Sequence, residues 1–137
     1  FAFLVDRYPD SFHALRARHA LARCLERKCL HHLYVAHYYE KKDRPKAVIQ
    51  RLESALKMEE TEKQLNHLPD SHLCAATREN LLLLARSYYQ IGDLESLTWL
   101  EGKYGEYVDR YPQPDRGLEK IRQLRSALKA DGNQPGL

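Results

Sequence analysis

Seven histidines and three cysteines are the side chains of this 137-residue chain best suited to metal or nucleophilic chemistry, and their spacing decides whether they could perform it. Zinc on a helix needs two imidazoles four residues apart, so that both lie on one face. His31, His32 and His37 give no such pair, and no His-Glu-x-x-His occurs. His13 with His19, and His67 with His72, fall across expected element boundaries or on opposite faces. A Gly-x-Ser-x-Gly turn, a phosphate-binding glycine loop and an isolated carboxylate pair in an apolar setting are likewise missing from the sequence. The expectation is a non-enzyme with no catalytic residue, no metal site and no cofactor. Cys24 and Cys29 sit about 140 degrees apart around one expected helix and cannot bridge each other without unwinding it. With Cys74 they read as small buried apolar residues, and an odd, unpatterned count leans toward a reducing compartment.

With chemistry set aside, the elements carry the information. Val35-Ala36-His37-Tyr38-Tyr39 runs into a break at Asp43, and Leu84-Ala85-Arg86-Ser87-Tyr88 runs into Gly92. A second amphipathic segment follows each break, from Pro45 to Lys57 and from Leu94 to Val108. The small residue lets two antiparallel backbones approach, the aromatic three positions later fills the next turn, and the break reverses the chain. One helical hairpin therefore occurs twice, with the spacing of a tetratricopeptide repeat. The expected fold is an all-α solenoid of about six to seven helices.

From 11 to 42 there is no Pro or Gly, and apolar residues recur at Ala14, Leu21, Leu25, Cys29, Leu33, Ala36 and Tyr39. That periodicity predicts one long helix, with Asp10 or Ser11 as its cap and a break near Lys28 as the alternative. Pro45 suits the first turn of the next helix, whose buried stripe is Ala47, Val48, Leu52, Ala55 and Leu56. The polar stretch 58–71 reads as an inserted loop with a helical extension at its start. Further helices are expected from His72 to Ile91, its Leu81-Leu82-Leu83-Leu84 run buried on more than one side, from Leu94 to Tyr111, and from Leu118 to Ala130. Gly102 and Gly105 make the helix from Leu94 to Tyr111 either the loosest element or one packed closely through its glycines. Residues 1–130 read as a single domain and 131–137 as a disordered tail.

Formal net charge is only +3, and nothing approaches the run of about 18 apolar residues that spans a membrane. The opening Phe1-Ala2-Phe3-Leu4-Val5 has no initiator Met and reads as the last turns of a helix closing at Tyr8-Pro9-Asp10. A start partway through a longer protein is the expectation.

His31-His32-Leu33-Tyr34-Val35-Ala36-His37-Tyr38-Tyr39, followed by Ala47-Val48-Ile49-Gln50-Arg51-Leu52 and preceded by Tyr8-Pro9-Asp10-Ser11, resembles the C-terminal half of the BamD family of outer-membrane β-barrel assembly lipoproteins. That family writes a helix His-Glu-Leu-Tyr-Val-Ala-x-x-Tyr, a turn, and a helix containing Ala-x-x-Asn-Arg. The likeness covers about residues 1 to 100. Here His32 replaces an acidic residue, Gln50 replaces Asn and Asp43 replaces the turn glycine. The resemblance implies a non-catalytic scaffold on the periplasmic face of the outer membrane, tethered by an N-terminal lipid and holding the POTRA domain of the barrel-forming component, with unfolded barrel proteins as further partners. Arg51 is the contact arginine it implies. The sequence adds that no carboxylate lies three or four residues from Arg51 in its helix. A snorkelling arginine whose stem covers Leu52 is the alternative. A cytoplasmic tetratricopeptide adaptor for peptide segments or termini is the competing reading of function.

Two further surfaces follow from repeat geometry. His37, Glu40 and Lys41 from one repeat, with Arg86, Tyr89 and Gln90 from the next, should line a groove suited to an extended peptide. Arg16, Arg23, Arg27 and His31 fall within about 80 degrees of arc on the long helix. Such a stripe attracts an acidic partner, anionic lipid or nucleic acid. Nucleic acid is disfavoured because the stripe lacks interleaved aromatics and acidic residues elsewhere nearly balance the charge.

Overall fold

Ser11 fixes where the first helix begins. Its Oγ accepts from the Ala14 amide at 3.0 Å, satisfying one of the free donors of the first turn. In the computed structural model, which describes Arg7, 11–66, Leu68, 76–110 and 116–132, five helices and no strand occur among the described residues. These are α1 (Phe12–Lys41), α2 (Pro45–Leu65), α3 (Thr77–Ile91), α4 (Leu94–Arg110) and α5 (Gly117–Gly132). Six to seven were expected. The helix anticipated over 1–8 lies outside the described residues except for Arg7.

The two hairpin turns are built alike. The Asp43 and Arg44 amides donate back to the Glu40 and Tyr39 carbonyls, and the Gly92 and Asp93 amides donate back to those of Tyr89 and Tyr88. Asp43 and Gly92 are therefore equivalent, and both adopt left-handed backbone, with φ of 54° and 78°. Glycine does this freely, whereas Asp43 carries a Cβ into a region that L-residues avoid. After the second turn Asp93 caps α4, its carboxylate accepting from the Ser96 amide and hydroxyl at 3.1 and 2.7 Å. Those bonds hold its pKa below the ordinary aspartate value.

Ala36 and Ala85 are fully buried at equivalent places one turn before Tyr39 and Tyr88. One core unites Leu25, Leu33, Val48, Leu52, Leu81, Leu84, Leu97, Leu100, Tyr104 and Ile121. Contacts between α1 and α3 pair Glu40 with Arg86 and Asp43 with Gln90, so the first helices of the hairpins lie side by side and run the same way. From the C-terminal side α5 closes the core, with Arg122 and Arg125 both ion-paired to Glu101 of α4.

The polar segment from Met58 is not a loop as far as Leu65, because it continues α2. Glu59 and Lys63, four residues apart and both buried, pair at 3.5 Å, and Thr77 donates to Glu59 at 2.9 Å. On the other side Glu62 pairs with Lys28 of α1. Its polar residues face partners that the sequence does not reveal. Residues 69–71 and 72–75, the end of the anticipated loop and the start of the next helix, lie outside the described residues, as does Tyr111. Of the two alternatives for the glycines of α4, close packing is removed, because a Cβ at Gly102 or Gly105 would meet nothing within 4 Å. Finally, α5 runs through Asp131 and Gly132, past the expected start of a tail.

Candidate protein-binding site

Arg51 projects from the side of α2 that faces α1. It is half-buried, its Nε is sealed from solvent, and that nitrogen has no acceptor. No ion pair forms to it among the described residues. Across the helix pair, His32 of α1 leaves its buried Nδ1 equally unpartnered. Burial pushes the His32 pKa below the ordinary imidazole value, and the positive charges of Arg51 and then His31 push it the same way. Two nitrogen-bearing side chains thus share one junction without an anion between them.

The second hairpin shows how unusual this is. Superposing the equivalent turns sets Val48 on Leu97, Ala55 on Tyr104, and Ala36 on Ala85, all buried. The same register sets His32 on Leu81 and Arg51 on Leu100, which are 2% and 0% exposed. Where one hairpin closes its core with two leucines, the other places an imidazole and a guanidinium. Leaving such groups unpaired costs about 1–3 kcal/mol each when they are desolvated.

The peptide-groove residues meet each other instead of standing free. His37 lies 3.5 Å from Glu40 and 3.2 Å from Glu79, and Arg86 lies 3.4 Å from the other Glu40 oxygen. Gln90 donates to Asp43 at 2.7 Å. Lys41 is exposed, and Tyr89 is half-buried against the core. Glu79 and Asp43 complete this network and were not anticipated. Glu79 in the first turn of α3 was the available signal, since a carboxylate there suits the helix dipole.

Arg16, Arg23, Arg27 and His31 are all exposed on α1. Aromatic residues do interleave with them, contrary to expectation. Phe12, Tyr34 and Tyr38 are 69%, 75% and 55% exposed on the same side, with Arg16 over the Phe12 ring at 6.0 Å and Lys42 over Tyr38 at 5.6 Å. Cys29 is buried as expected, but Cys24 is an exposed free thiol, and Cys74 lies outside the described residues. Among the described residues no group of three His, Cys, Asp or Glu could hold a metal, and no helix is long and apolar enough to cross a membrane.

Arg51 is thus held unpaired at the α1–α2 junction of a chain with five helices among its described residues. The chain matches the family described as YfiO, outer membrane lipoprotein, over residues 1–93. It belongs to that outer-membrane lipoprotein family. The match includes α1, the Asp43 turn, α2, α3 and the Gly92 turn, so both hairpin turns and Arg51 lie inside it, and α4 and α5 beyond it. Neither the comparison with curated proteins nor that with solved structures gives a match.

Proposed function

We propose that this member of the YfiO family is a non-catalytic, tetratricopeptide-like scaffold at the periplasmic face of the outer membrane, corresponding to the C-terminal half of the barrel-assembly lipoprotein. Its partner is the POTRA domain of the barrel-forming component, with unfolded barrel proteins as further clients. Arg51 is the central contact, and a carboxylate of the POTRA domain completes the bonding that its own fold leaves open. The observation that carries this reading is the replacement of the Leu81–Leu100 arrangement by His32 and Arg51. A fold selected for stability alone has the leucine solution in hand one hairpin away. An arginine retained at such a place is accounted for by what binds it.

Arg51→Glu tests the reading. Binding to the POTRA domain should weaken by about 2–5 kcal/mol in a calorimetric titration, because the pair is lost and two like charges meet. The circular dichroism spectrum should not change. Charge reversal of the partner carboxylate should restore part of the affinity. Native affinity in Arg51→Glu removes this residue from the interface.

A further inference from the structure

A groove of about 840 Å³ runs between α2 and α4, on the side of α2 turned away from α1 and Arg51. Thr77, Leu81 and Tyr88 of α3 form its floor. Buried Glu59 and exposed Glu53 are both engaged by the fold. Glu59 is held by Lys63 and Thr77, and Tyr88 donates its hydroxyl to Glu53, a bond that together with burial raises the tyrosine pKa.

The rim is different. Glu60 of α2 and Glu95 and Glu106 of α4 are exposed and take no ion pair among the described residues. In all, the lining holds five glutamates against three lysines, although the chain as a whole is net positive. Between the rim carboxylates Trp99, the only tryptophan of the chain, stands 52% exposed. An indole face attracts ammonium and guanidinium groups, and carboxylates supply their countercharge. The apolar parts of Leu56 and Leu81 give the stem of a long cationic side chain something to cover.

We propose that the α2–α4 groove is a second binding site, which takes an extended polypeptide segment carrying lysine or arginine, with Trp99 and the rim glutamates as its cation-recognising elements. Charge complementarity favours this occupant. Lys57 and Lys103 are exposed in the same lining, but its net negative charge disfavours nucleic acid and anionic lipid. The site goes beyond the Arg51 contact and is independent of it, because the two lie on opposite sides of α2.

Emission from Trp99 reports on the groove without a label, since no other indole contributes. Titration with a short synthetic peptide of alternating arginine and serine should give a saturable change that weakens as salt is raised. A peptide of alternating glutamate and serine should give none. In the double variant Glu60→Lys/Glu106→Lys the cationic peptide should bind about tenfold more weakly, or worse. These residues are exposed and unpaired, so a native circular dichroism spectrum is expected and is checked alongside. Arg51→Glu should leave the response as it is in the wild type, so that failure here and failure of the POTRA reading are told apart. The proposal is overturned if the arginine peptide gives no saturable change, if the glutamate peptide gives the same one, or if the double variant keeps wild-type affinity. It is equally overturned if sedimentation without peptide shows the groove already filled by a second copy of the chain.

Discussion

Arg51 occupies the place in α2 that Leu100 occupies in α4. The equivalence rests on matching hydrogen bonds at the Asp43 and Gly92 turns, and it extends to His32 and Leu81 on the preceding helices. One hairpin thus serves as an internal control for the other. The chain contains both a polar and an apolar solution to the same packing problem.

Replacing the polar pair by the apolar one, His32→Leu with Arg51→Leu, should raise stability by about 1–3 kcal/mol in chemical denaturation, as substitution of underbonded charge by hydrocarbon does elsewhere. Partner binding should fall at the same time. A double variant less stable than the wild type would assign the pair a structural role.

The depressed pKa of His32 has a definite sign. Between its folded and unfolded values the unfolded chain binds more protons at this site, so the stability contributed by neutral His32 is present above about pH 6.5 and is lost as pH falls through the folded pKa. Urea midpoints measured at about pH 7.5 and pH 5.5 should therefore decline with acid, and His32→Leu should decline less. Equal slopes in the two proteins would exclude the contribution. Asp93, whose pKa is also lowered, acts only at more acidic pH, with stability lost below the ordinary aspartate range.

At the first turn, Asp43→Val should cost about 1–2 kcal/mol, because a β-branched side chain fits left-handed backbone poorly. Asp43→Gly should stay within about 0.5 kcal/mol of the wild type, relief of backbone strain offsetting the lost, exposed bond from Gln90 and the greater freedom of the unfolded chain. Thermal melts of the two variants separate these outcomes. Similar midpoints for valine and glycine would show that φ at this position is not constrained.

Gly102 and Gly105 have open space where a Cβ would go, and both lie inside α4 with no left-handed backbone to justify them. Gly102→Ala should therefore stabilise by about 1 kcal/mol, and Gly105→Ala by a similar amount. Destabilisation by either alanine, read from the denaturant midpoint, would point to a contact formed in solution at that face.

Local signals carried much of this fold. An unbroken run of helix-compatible residues with apolar steps of three and four sufficed for α1, and Ala36 and Ala85 are buried as their place before each reversal implied. How far the helical extension beyond Met58 continues was not legible, because its order comes from Lys28 and Thr77, residues distant in sequence, and polar composition alone cannot distinguish a paired helix face from a loop. At the candidate site, Arg51 was pointed to by the family resemblance, and its lack of a carboxylate partner within its own helix was also visible in the sequence. His32 could not be singled out, since an orphaned ring nitrogen is a property of the packed pair. The same holds for His37, Glu40, Arg86 and Gln90. Spacing placed them on neighbouring faces, but their bonds with one another and with Glu79 and Asp43 depend on how α1 and α3 lie side by side.

The length of α1 has a mechanical consequence. Thirty residues without proline or glycine form a beam of about 45 Å with no hinge along it. Its far end carries the Phe12 turn, and its near end carries His32 and the Asp43 reversal. Between Phe12 and the junction with Arg51 the helix therefore offers no built-in joint at which the two ends could move apart from one another.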